Sequence, residues 1–333
     1  MTKTIKIFSI IALGYLMLTA ASCKQNNPAN TSSEVLGNPV GPAFNADTAY
    51  AYCAAQCDFG PRTMNSDAHE KCGKWIAEKF TQMGCDVELQ TAALTGYDGT
   101  MLNATNIIAR QRPDAKQRIL LCAHWDSRPW ADNDRDEANW RKPVMAANDG
   151  ASGVAVMLEI ARLMCLTDTL DLGVDYVCFD AEDWGIPQWE RRSDEDSWAL
   201  GSQYWAENYV PKGAKPMYGI LLDMVGGQGA TFYQEGISMK YAPSAVKAIW
   251  DAAQIVGYGS YFQRKDGGQI TDDHVPMNRA GLPTVDIVSF YPNCRESSFG
   301  PTWHTVNDDM EHIDKNTLKA VGQTLVQVLF SAL

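Results

Sequence analysis

Apolar positions recur along the chain with two different spacings, and the alternation between them carries most of the information about the fold. Helical spacing predicts helices over 46–57 (ADTAYAYCAAQC), 67–84 (DAHEKCGKWIAEKFTQMG, stopping on Gly84), 153–164, 198–209, 243–257 and 316–333. Between them lie short apolar runs rich in branched residues: TNIIAR (105–110), RILLCAHWD (118–126), VDYVCFD (174–180), YGILLDMV (218–225) and PTVDIVSF (283–290). Strands alternating with helices predict an α/β domain with a largely parallel β-sheet flanked by helices on both faces.

The first 44 residues read differently. Lys3 and Lys6 lead into the apolar run 7–18. That run is shorter than the ~20 residues a membrane span needs and fits a signal-peptide core. Small residues then precede Cys23 in TAASC, the pattern of a bacterial lipoprotein cleavage site; an ordinary secretory cut nearby is the alternative. The expected organisation is a signal peptide (1–22), a lipidated Cys23 opening a polar tether (23–44), and the α/β domain (45–333). The protein would then be exported and lipid-anchored on the periplasmic side of a bacterial envelope membrane.

The strand ends draw attention to chemistry. RILLCA runs into His124-Trp125-Asp126, VDYVCF into Asp180, Glu182 and Asp183, YGILL into Asp223, and PTV into Asp286. In open α/β sheets, sites are built at the C-terminal ends of strands. Crowded carboxylates raise one another's pKa, so the cluster at 180–183 needs a metal, a shared proton or open solvent to compensate. Asp149 lies in the Gly-rich AANDGASG before a helix, where a helix cap is the simpler role. His304 lies in the loop PTWHTVNDD. Together, His124, Asp149, Glu182, Asp183, Asp223 and His304 form a nitrogen and oxygen donor set suited to zinc. Asp126 is placed to orient His124.

Charge and cysteines narrow the choice. A net charge of −12 argues against nucleic acid or an anionic membrane surface as the main partner, leaving the lipid as the membrane contact. Beyond Cys23 there are eight cysteines without CxxC spacing, so no cysteine zinc site is expected. Cys122 and Cys178 fall in apolar strands as buried thiols; in an exported protein others could pair. A monomer is the expected state.

AHWDS, AANDGASGVAVMLEIAR, FDAEDWG, LLDMVGG and PTWHT occur in the order seen in the zinc-dependent aminopeptidase clan, a resemblance that implies a single α/β domain on a central mixed, mostly parallel β-sheet flanked by helices on both faces. Within it the chain most resembles the zinc-dependent glutaminyl cyclases, the animal type and its bacterial relatives, over about 45–333. The late loop GGQITDDHVPMNRAGLP has Asp272 where the clan's peptidases typically carry Ser, as the cyclases do. The resemblance implies one zinc per chain held by Asp149, Asp183 and His304, with Glu182 as acid/base and Asp223 and Asp272 hydrogen-bonded around it. It implies Trp303, Trp189 and Ile270 as substrate contacts, His124 and Asp126 behind the ligands, and peptides with N-terminal Gln as substrates. Asp183 stands where the animal enzymes have Glu, and Asp286 where they have His, which leaves Asp286 without a role. A two-zinc aminopeptidase and an inactive peptide-binding lipoprotein are the alternatives.

Overall fold

The computed structural model describes residues 37–167 and 170–331. The signal peptide, the lipidation site Cys23 and tether residues 23–36 lie outside the described residues. The end of the expected tether is seated on the body of the protein. Val40 N and Phe44 N donate to Oε1 of Gln327 and Gln323, at 2.7 and 2.9 Å, and Phe44 is buried. Apolar Phe44 and these glutamine side chains give residues 38–44 a docking surface that a free linker lacks.

Helices α1 (Ala46–Cys57) and α2 (Asp67–Gln82) precede strands β1 (Asp86–Thr95), β2 (Met101–Gln111) and β3 (Gln117–His124). Next come α3 (Ala151–Cys165), β4 (Leu172–Phe179), α4 (Leu200–Glu207), β5 (Gly219–Asp223), β6 (Thr231–Gln234), α5 (Gly236–Tyr241) and α6 (Pro243–Ile255). The fold closes with β7 (Phe262–Asp266), α7 (His274–Arg279), β8 (Thr284–Phe290) and α8 (Lys315–Ser331). The sheet order is β1-β2-β4-β3-β5-β8-β6-β7, with a parallel centre (β4-β3-β5-β8) and antiparallel pairings at β1-β2, β2-β4 and β6-β8. The expected single-domain mixed α/β fold is what forms.

The central runs are apolar throughout because both faces are covered. On β3, Ile119, Leu121 and Ala123 join the core shared with α1, α3, α6 and α8, while Leu120 and Cys122 face the smaller core that holds Trp205 of α4 and Met277 of α7. Each such Leu or Ile contributes about 1.5–3 kcal/mol when fully buried, and Leu121→Ala would cost about 2–5 kcal/mol.

The structure differs from the sequence expectation in places. Helix α4 starts at Leu200 rather than Trp198, because Ala199 takes a left-handed φ of 54° and Ala199 N and Leu200 N bond back to Glu182 O and Ala181 O. Strand β8 does not end at Asp286 but continues to Phe290, so this acid sits inside the sheet, opposite Leu221. All eight described cysteines are free thiols, with Cys122 and Cys178 buried as expected.

Candidate metal and catalytic centre

Pairing register brings the strand ends to one level. Gln117↔Leu172 through His124↔Phe179 aligns the last residue of β3 with the last of β4, and Cys122↔Leu221 brings Asp223 to the same edge. Asp149 reaches this edge from the start of α3. A Cβ at Gly150 would lie 2.5 Å from His124 O, so glycine is what lets α3 begin so close to β3. Gly150, not Asp149, occupies the N-cap position, which frees the Asp149 carboxylate to face the cleft. Asp308 fixes this segment: its two oxygens accept from Asn148 N at 2.7 Å and Asp149 N at 3.0 Å. Ala146, Ala181, Met224 and His304 all have φ between 50° and 58°. Such left-handed non-glycine residues cost roughly 1–3 kcal/mol each and cluster at functional sites.

Two donor sets share Asp149. His124 Nε2 lies 2.9 Å from Asp149 Oδ1 and 3.2 Å from Asp223 Oδ1. His304 Nε2 lies 3.5 Å from Asp149 Oδ2 and 3.3 Å from Asp183 Oδ1. In each set the ligand atoms fall within 4.8 Å of one another and all three residues are buried. Asp183 Oδ2 is enclosed without a hydrogen-bond partner. An orphaned buried carboxylate oxygen in a cluster of carboxylates and imidazole Nε2 atoms fits a zinc ion.

Acceptors stand behind the donors. His124 Nδ1 is 3.5 Å from Asp126 Oδ1, and His304 Nδ1 is 3.5 Å from Asp132 Oδ1, both long for hydrogen bonds. Asp126 also accepts from Glu182 N and Asp183 N, each at 3.1 Å, so it holds the backbone of the acidic turn as well as orienting His124. Sequence reasoning missed Arg128, which grips Asp132 through Nε and Nη2 at 2.7 Å each and donates from Nη1 to the backbone oxygen of Asp183 at 3.1 Å. It also missed Asp132, Asp308 and Asp273. Arg128 and Asp132 are four residues apart, which is the one local signal they offer.

Burial and mutual repulsion push Glu182, Asp183, Asp223 and Asp272 toward their neutral forms, whereas Asp149, although burial opposes it, is held below its ordinary value by His124 and His304. Glu182 is held well above the usual carboxylate range by burial and by Asp183 and Asp272. Burial and Asp149 raise Asp223 to about 6. Burial, Asp223 and Asp273 hold Asp272 well above its ordinary value. Although burial opposes it, His124 is raised by its carboxylate neighbours Asp126, Asp149 and Asp223.

A cleft of about 370 Å³ opens over these groups. It is lined by Asp149, Glu182, Asp223, Asp272 and His304, together with Ile270 and Trp303. Trp189 does not line it: its ring stacks on Trp140 at 6.3 Å, and Arg141 lies over its face. The tryptophan that faces the cleft from this loop is Trp198, whose ring stacks toward His304 at 5.9 Å. Asp286 is fully buried outside the cleft lining, held toward its neutral form by burial and by Asp272.

Fold and donors together define an α/β protein of the zinc-aminopeptidase type. The chain belongs to peptidase family M28, whose family model matches residues 106–329. It is similar to a Bacteroides thetaiotaomicron glutaminyl cyclase bound to N-acetylhistamine, with 50% identity over 88% of this chain and 100% of that one, and a TM-score of 0.85. A leucine aminopeptidase precursor from the same organism is 49% identical over 88% of this chain and 99% of that one, with a TM-score of 0.84. The bovine glutaminyl-peptide cyclotransferase is 29% identical over 250 residues, 66% of this chain and 64% of the bovine protein. The chain thus spans a little under two thirds of that curated relative.

Proposed function

We propose that the chain converts N-terminal glutaminyl residues of peptides and proteins to pyroglutamate and releases ammonia, using one zinc ion and Glu182 as acid/base. The observation that carries this reading is Asp272: an acid buried at the cleft beside Glu182 and Asp223, its carboxyl pushed well above the ordinary range by burial and by Asp223. Relatives described as glutaminyl cyclases and glutaminyl-peptide cyclotransferases support it.

Asp149, Asp183 and His304 would hold the zinc, which would supply Lewis acidity to polarise the substrate's side-chain amide. Glu182 takes a proton from the α-ammonium. The α-nitrogen then bonds to the side-chain carbonyl carbon of the same residue, a ring closure with little entropic cost. The bond from that carbon to the amide nitrogen breaks, the proton held by Glu182 goes to the leaving nitrogen as ammonia departs, and the second proton that the α-nitrogen sheds in becoming the lactam N–H passes to the freed Glu182 carboxylate and on to solvent. A raised pKa suits Glu182 to both transfers. A neutral Asp272 donates a hydrogen bond where an ionised one would repel Glu182.

A two-zinc aminopeptidase is the second reading, favoured by the His124, Asp149 and Asp223 donors lying as close together as the other set. Incubating the protein with a Gln-initiated peptide, with and without chelator, separates the two by mass spectrometry. Loss of one ammonia, abolished by chelator and with one zinc per chain, supports the cyclase. Loss of the whole first residue with two zinc ions per chain overturns it in favour of the peptidase. No change on any N-terminus tried points to a peptide-binding lipoprotein. Export and anchoring through Cys23 belong to the same proposal, and Cys23→Ser is expected to move the protein from the membrane fraction to the soluble one.

A further inference from the structure

A second cavity, of about 350 Å³, lies between the first turns of α2 and strands β1 and β2, away from the cleft lining. It is lined by Ser66, His69, Lys74, Leu89, Asn103 and Trp125, among others. His69 is 5% exposed, and its ring lies flat on Trp125 with centroids 4.1 Å apart. Nε2 sits 2.8 Å from Asp180 Oδ1, which leaves Nδ1, the ring nitrogen not engaged by Asp180, open to solvent at the cavity. Burial works against the charged ring, but Asp180 and then Asp126 overcome it and hold His69 toward the imidazolium, in which both nitrogens donate. A charged donor left without an acceptor in a nearly buried place selects for one. Several other polar groups of the lining are already committed. Asn65 Oδ1 accepts from Asn103 N and Nδ2, and Lys74 pairs with Glu70. Leu89 adds apolar surface at the mouth. The catalytic cleft, by contrast, is lined with carboxylates and disfavours anions.

We propose that this second cavity binds a small carboxylate-bearing molecule, with its anionic group on His69 Nδ1 and its apolar part against Leu89. The occupant also bears on catalysis, because Asp180 opens the catalytic turn. Oδ1 of Asp180 accepts from Ala181 N at 2.9 Å and Oδ2 from Thr105 N at 2.6 Å, so His69 and the backbone leading to Glu182 share one carboxylate.

The test uses benzoate as the probe, on the mature chain in detergent at constant ionic strength. The ring-proton resonances of the five histidines are followed by NMR, with His69→Gln assigning His69. Benzoate is expected to shift the His69 resonance saturably, while equal benzylamine leaves it in place. Leu89→Glu puts a like charge at the mouth on an exposed strand and is expected to weaken the binding about tenfold, which is about 1.4 kcal/mol. No saturable shift, a shift unweakened in Leu89→Glu, or equal shifts at His124 and His304 would overturn the site. Saturating benzoate should change the rate on the Gln peptide, or on whichever substrate the chain proves to use, about twofold or more in the unsubstituted protein and not in Leu89→Glu. An unchanged rate would overturn the coupling to the turn. The resonance shift is independent of activity, so failure of this site is distinguishable from failure of the cyclase reading.

Discussion

Arg128 is the place where the physical account of the centre is easiest to break. Its side chain is 1% exposed, that of Asp132 is 0% exposed, and the two make a bidentate pair at 2.7 Å per contact. Arg128→Met removes the cation and leaves Asp132 ionised in a place without water. Removing one partner of a buried pair costs about 3–5 kcal/mol, a large share of the roughly 5–15 kcal/mol that holds a domain folded. Replacing both partners by apolar groups is often close to neutral, so Arg128→Met/Asp132→Leu should return to within about 1–2 kcal/mol of the starting protein. Zinc affinity should not return with it. Asp132 stands behind Nδ1 of His304, and losing such an orienting acceptor typically weakens a metal site about 10–100-fold. Urea unfolding in the presence of chelator reads stability without linkage to zinc, and competition against a chromophoric chelator reads affinity. A cost below about 1 kcal/mol for Arg128→Met would refute the reasoning about charge. A double variant that binds zinc as tightly as the starting protein would refute the reasoning about His304.

Asp272→Ser should lower the cyclisation rate at least about 100-fold, in the range lost when a proton-handling network fails; activity within a few-fold of the starting protein would sink the role given to Asp272. Trp198→Ala should raise KM about tenfold, since its ring faces the cleft, while Trp189→Ala, packed on Trp140, should change KM less than about threefold. The chelated protein should lose stability as pH rises from about 5 to 8. Asp223, Asp273 and Asp308 are raised to about 6, 7 and 8. Their stabilisation is complete below the unfolded carboxyl range, at about pH 4, and disappears as pH climbs through the folded values. Glu235 is lowered to about 2, so its contribution is already constant over that window. A urea midpoint that rises or stays flat between pH 5 and 8 would contradict the assignment, and zinc should reduce the slope.

What could be read from the residues, and what could not, divides along physical lines. The central strands were legible because burial on both faces demands uninterrupted apolar runs, and the donors were legible because such strands must end where the chain meets polar groups. β1 carries no such signal: its burial alternates only between exposed and half-buried, as befits an edge strand. β6 and β7 are four and five residues long, too short for a pattern to emerge. PTVDIVSF invited a strand end at Asp286, but the apolar residues that follow carry β8 onward past it. Trp189 and Trp198 share one polar loop, and only the left-handed turn at Ala199, bonded back to Glu182 O, decides which of them reaches the cleft.

The groups that position the centre were harder to find for a more general reason. Asp308 holds Asn148 and Asp149 across 160 residues, and in the sequence it is one acid in a polar run. Arg128 and Asp132 lie in RPWADNDRDE, a stretch whose composition is that of a solvated loop, yet the fold encloses both. Burial turns these ordinary charges into structural elements, and burial is a property of the whole packing, not of local pattern. Among the residues that would touch the reacting atoms, Glu182, Asp183 and Asp223 sit at or just past strand ends and announce themselves. Those that aim them depend on contacts between distant segments. That dependence is why the strongest test of the centre is a pair of substitutions at Arg128 and Asp132, neither of which faces the cleft.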